Sequence, residues 1–108
     1  MAAVQITSRQ FEQMTAGERP VLVNFWAPWC VYCRRIQNAY DEIAERYADR
    51  INVVKVNVEK NRALAMQERI EVVPTLVLYR GGEAIGSIVA PESRAMIEAF
   101  IGEAMREE

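Results

Sequence analysis

The chain has 108 residues, 51% hydrophobic and 26% charged, which fits one domain with its own core and removes any need for a disulfide framework. Its formal net charge is -2 with scattered Lys and Arg, so no concentrated field invites nucleic acid or an anionic membrane. No apolar run approaches the ~20 residues of a membrane span, and "MAAVQITSRQ" lacks the charged-then-apolar order of a signal peptide, so we expect a single cytoplasmic domain over residues 1–108, monomeric, without nucleic-acid or membrane partners.

In chain order, "ITSRQF" reads as a helix start. Thr7 is placed to cap, Gln10 to complete a capping box, and Ile6 and Phe11 to form the flanking hydrophobic staple. That helix should end near Gly17. "PVLVNFWA" is a nearly unbroken apolar run, as expected of a strand covered on both faces. From Cys30 the period changes: Cys33, Ile36, Tyr40, Ile43 and Tyr47 recur at helical spacing until Asp49 and Arg50. In "INVVKVNV", Val54, Val56 and Val58 alternate with Lys55 and Asn57, predicting a second strand. Residues from about Lys60 to Arg69 favour a helix that sets Ala63, Leu64 and Ile70 on one side. "TLVLY" is a third strand, Gly81-Gly82 a hairpin turn, and "EAIGSIVA" the antiparallel return. A last helix from about Pro91 should bury Met96, Ile97, Phe100, Ile101 and Ala104. Met66, Met96 and Met105 read as core filler or rim, and Arg106 to Glu108 as a frayed end. The alternation of strands and helices is an α/β pattern.

Both cysteines lie in "WCVYC", at Cys30 and Cys33. Cys30 falls where the first long strand gives way to a helix. The first helical turn presents unpaired N–H groups and the positive end of the dipole, which stabilise a thiolate. Cys33 is one turn further on the same face, placed to attack a mixed disulfide at Cys30. A tetrahedral zinc site wants four ligands, and one chain with two Cys and no His cannot supply them. Two chains sharing a metal or iron–sulfur cluster remain possible. A structural disulfide across so short a loop removes little unfolded-state entropy. Redox exchange is the favoured reading, with the inert staple and the shared cluster left open.

"VLVNFWAPWCVYC" resembles the active-site segment of thioredoxins, and "VVPTLVLYRGGE" resembles the second signature of that family. "VVKVNVEKN" between them fits the central strand. The resemblance runs over almost the whole chain. It implies a thioredoxin fold, a central mixed sheet of about five strands flanked by four helices. It implies a thiol–disulfide oxidoreductase that reduces or exchanges disulfides in client proteins through a redox-active Cys30–Cys33 disulfide. No further cofactor and no metal are implied. A thioredoxin-reductase-type protein or a small thiol would recharge it. Pro74 becomes a cis-proline beside the dithiol, Val73 a pairing edge for substrate, and Trp29 a cover over the site, while Trp26 is expected in the core.

The departures are specific. Val31-Tyr32 replaces the family's Gly-Pro, and Tyr32 is expected to contact a partner or the Cys30 sulfur, or to lie on the surface. Asn24 stands where a buried Asp is usual, and Lys55 matches the lysine that normally faces it. We expect Asn24 to be a neutral, hydrogen-bonded replacement and Lys55 to reach solvent, with slower resolution of mixed disulfides. Asn38 replaces a kinking proline, which predicts a straighter helix. Val89 is assigned to the position of a glycine beside the docking groove, which it would narrow. An oxidant or isomerase, and a binding module that rarely cycles, are the competing functions.

Overall fold

The computed structural model describes residues 2–106; the part of the expected frayed end at Glu107 and Glu108 lies outside them. In chain order the elements are β1 (Val4–Gln5), α1 (Ser8–Thr15), β2 (Val21–Trp26), α2 (Val31–Arg35), α3 (Gln37–Arg46), β3 (Asn52–Asn57), α4 (Arg62–Gln67), β4 (Thr75–Arg80), β5 (Glu83–Val89) and α5 (Arg94–Met105). One sheet runs in the order β1-β3-β2-β4-β5. β1 and β2 are parallel to β3, and β4 is antiparallel to both β2 and β5.

Side chains alternate across a strand, and this divides the core in two. Val21, Val23 and Phe25 join Ile6, Phe11, Val54, Val56, Leu64, Val77 and Tyr79 in the cluster that packs α1 and α4. Leu22 joins Ile36, Tyr40, Ile43, Leu76, Leu78, Ile97 and Ile101 in the cluster that packs α3 and α5. Asn24 and Trp26 follow Leu22 on that second face, and Asn24 pairs in register with Lys55. A polar column therefore runs under the helix that carries Cys33.

The Thr7–Gln10 capping box forms as expected, with Ile6 and Phe11 buried together. Gly81 and Gly82 adopt φ 63° and 83°, the left-handed pair that a two-residue hairpin favours. β1 is only two residues long, too short for a periodic signal, and the chain-order reading does not contain it. At β5 the sheet meets α5 closely: a Cβ on Gly86 would lie 3.1 Å from that of Ala104.

Several expectations fail. The long helix is not straighter: it divides at Ile36, at φ −93° and ψ 2°. There the Ile36 N–H keeps its bond to the Tyr32 carbonyl, lengthened to 3.3 Å, and shares it with the Arg34 carbonyl. The two halves are held by different contacts. Cys33 is fixed at the dithiol, whereas the Tyr40 hydroxyl reaches the strand carbonyls of Val54 at 2.6 Å and Leu22 at 3.1 Å. α4 buries Leu64 and Ala65 and exposes Ala63. Met96, expected in the buried stripe, is 43% exposed, and Ile97 is the buried residue beside it, while Met66, 78% exposed, stands on the rim. α5 starts at Arg94, where Ser93 caps by accepting from the Met96 N–H.

Candidate active site

Ala27 to Cys30 carries the chain from β2 into α2, and Cys30 is the N-cap of α2. Its sulfur accepts the Cys33 N–H at 3.1 Å and donates toward the Val73 carbonyl at 3.6 Å. Both cysteines are 5% exposed. With Ala27 they form a small buried cluster, against which Trp26, Val58 and Val73 pack. The Val73–Pro74 bond is cis, and Pro74 is fully buried.

The two sulfurs sit in different surroundings. Burial, followed by the hydrogen bond with Cys30, pushes the Cys33 thiol up to about 12, against small opposing effects of the Ala27 backbone and the Arg34 charge. Cys33 is therefore held protonated at neutral pH. Cys30 takes the backbone donor of the first turn and faces the Val73 carbonyl edge.

The remaining expected residues are placed unevenly. Tyr32 is 61% exposed, with the Arg35 guanidinium 5.2 Å above its ring. It lines an open groove with Arg35, Ile36, Ala90, Pro91 and Glu92. Trp29 precedes Cys30 directly in the chain. Its ring is 63% exposed, its indole N–H donates to Glu59, and it walls a neighbouring groove with Met66, Val72 and Val73. Trp26 lies against the dithiol cluster rather than in the core. It is half-buried because its indole N–H reaches Gln5 at 2.7 Å, so the polar edge stays near the rim.

Asn24 is 4% exposed, yet its Oδ1 has no hydrogen-bond partner among the described residues. The expectation of a hydrogen-bonded replacement is corrected there; such an orphan costs about 1–3 kcal/mol when dry. Lys55 does not simply reach solvent, because its ammonium lies 5.4 Å from the centre of the Trp26 ring, a favourable cation–π position. Val89 is 53% exposed at the end of β5. The backbone that favours glycine is one residue on, at Ala90, with φ 47° and its N–H on the Pro74 carbonyl at 2.8 Å. Sequence reasoning missed Gln37 and Asp41, which line a cavity with Asn24, Trp26, Cys33, Arg34, Tyr40 and Lys55. The signal was present: Cys33, Gln37 and Asp41 recur every four residues, one face of a helix.

Among the described residues, no group of three or more His, Cys, Asp or Glu is arranged to hold a metal, and no helix is long and apolar enough to cross a membrane. A dithiol at a strand-to-helix junction, beside a cis-proline on a five-stranded mixed sheet, defines a thiol–disulfide oxidoreductase. The thioredoxin family model matches residues 2–103. The chain is 34% identical to thioredoxin of Alicyclobacillus acidocaldarius over 105 residues, 97% of this chain and 100% of that one. It is 44% identical to thioredoxin 1 of Nostoc sp. over 89 residues, 82% and 83% of the two chains. Malassezia sympodialis thioredoxin superposes with TM-score 0.87 at 27% identity, covering 96% of this chain and 94% of that one. The chain belongs to the thioredoxin family, and it is a protein-disulfide reductase of that family.

Proposed function

We propose that Cys30 is the attacking sulfur and Cys33 the resolving one. The Cys30 thiolate attacks one sulfur of a client disulfide, forming a Cys30–client bond and releasing the other client sulfur as a thiolate. Cys33, once deprotonated, attacks the Cys30 sulfur. The Cys30–client bond breaks, the second client sulfur leaves as a thiolate, and the client gains two electrons while Cys30 and Cys33 become a disulfide. Both sulfurs are equally buried, so the observation that carries this order is what each one meets: Cys30 sits at the N-cap, accepting the Cys33 N–H and facing the Val73 carbonyl, and Cys33 is held as a thiol. Val73, Pro74, Trp29, Tyr32 and Val89 form the surface on which the client segment docks, with Asn24 and Lys55 behind the dithiol. The chain acts as a cytoplasmic monomer, with its own dithiol in place of a bound cofactor. A reductase protein or small thiol returns it to the reduced state. The test is a trap. With insulin as client, Cys33→Ser should accumulate a mixed disulfide through Cys30, and Cys30→Ser should accumulate none. A stable adduct on Cys33 in the Cys30→Ser variant would reverse the assignment.

A further inference from the structure

The resolving step requires Cys33 to lose a proton that its surroundings hold tightly, and nothing at position 24 takes it, because a neutral amide does not accept a proton at ordinary pH. The thiol lines a cavity of about 80 Å³ with Asn24, Arg34, Gln37, Tyr40, Asp41 and Lys55, and with the Trp26 ring. That volume exceeds the roughly 15 Å³ that one water requires. A polar atom points to water there: Asn24 Oδ1 is buried and has no partner among the described residues. Buried oxygens are satisfied by ordered water when protein supplies no donor.

Most groups on the cavity wall are unsuited to take the proton. The Trp26 N–H is engaged with Gln5, and a side-chain amide such as that of Gln37 is no base. The Tyr40 hydroxyl lies between the Val54 and Leu22 carbonyls, and its burial keeps it protonated. Arg34 and Lys55 are cations; they favour a thiolate but carry no vacant site for a proton. Asp41 is the carboxylate on the wall. It stands two helical turns from Cys33, with Gln37 between them, and its Oδ1 accepts the Ala3 N–H at 3.0 Å, which orients it from the far side.

We propose that the cavity holds water and that Asp41, across it, receives the Cys33 proton. This rests on Cys33 being the resolving sulfur. In the step, Cys33–SH gives its proton through water to the Asp41 carboxylate. The Cys33 thiolate forms the bond to Cys30 while the client leaves as a thiolate. The Asp41 carboxyl then returns its proton to water. Asp41 is thus a positioning and proton-accepting residue that works through water, and the chain keeps a base for its buried thiol with an amide at position 24.

Reaction of the reduced protein with excess 5,5′-dithiobis(2-nitrobenzoate) separates the steps. A first thionitrobenzoate is released when Cys30 attacks and a second when Cys33 resolves. Asp41→Asn keeps the shape of the side chain and an acceptor for the Ala3 N–H. Its second phase should slow about a hundredfold near pH 7, the low end of a general-base contribution. That phase should then rise about tenfold per pH unit, where the parent protein is flat from roughly pH 6 to 8. Asn24→Asp added to Asp41→Asn should restore the second phase. An unchanged second phase in Asp41→Asn overturns the proposal. So does a parent second phase that climbs with hydroxide across the whole range, a result independent of how the variant folds. If the first phase instead maps to Cys33, the assignment of sulfurs fails rather than the role of Asp41.

Discussion

Asn24→Asp places a carboxyl at a position only 4% exposed, beside Cys33 and in register with Lys55. The Asn24 Oδ1 has no donor among the described residues, so the new carboxylate would inherit none. Burial raises a carboxyl by up to roughly three to five pH units, and the Lys55 charge across the ladder and the cavity water both favour the low end. Each pH unit is worth about 1.4 kcal/mol. The sign follows from proton binding. With the folded value above the unfolded one, the native state holds more protons, so stability falls as pH rises between the two values. Near pH 4 the variant is protonated and close to isosteric with the parent. By pH 8 to 9 it should be about 4 kcal/mol less stable, within what a domain of this size tolerates. Urea unfolding of both proteins across this range reads the gap directly. A constant gap from acid to alkaline pH would refute a buried position 24 at which the protein supplies no donor. The same variant should change the pH dependence of disulfide reduction, and an unchanged rate profile would contradict the role given to Asn24.

Tyr40→Phe removes the hydroxyl that ties α3 to the carbonyls of β2 and β3; it should cost about 1–2 kcal/mol in urea unfolding, and a neutral result would mean those carbonyls are satisfied without it. Ala90→Gly relieves a left-handed residue at φ 47°, a cost of about 1–2 kcal/mol, against about 0.4–1 kcal/mol from a freer unfolded chain. It should stabilise the protein by between zero and about 1.6 kcal/mol with an unchanged m-value, and a clear loss would contradict the strain.

Much of the fold was legible because local and tertiary preferences agree. Thr7 and Gln10 cap where the apolar stripe begins, the run from Val21 to Trp26 has no polar face to expose except Asn24, and Gly81-Gly82 supplies the only cheap left-handed pair. The dithiol was legible for a similar reason: two cysteines three apart at a strand-to-helix junction leave few other uses. What was hidden depends on partners distant in sequence. β1 forms on two residues because β3 is already there to pair with. The interruption at Ile36 falls between the turn that carries Cys33 and the turn that Tyr40 ties to the sheet, and no local pattern marks it. Trp26 is pulled to the rim by Gln5, twenty-one residues earlier. The glycine-like backbone falls at Ala90 rather than Val89 because the Ala90 N–H must meet the Pro74 carbonyl, a constraint that no local pattern reveals.

The division of labour between the sulfurs is tested most directly by alkylating the reduced, folded protein at neutral pH with a limiting reagent and mapping the modified cysteine. Cys30 should carry nearly all of the label, with Cys33 reacting only after unfolding. Equal labelling, or labelling of Cys33 first, would contradict the account.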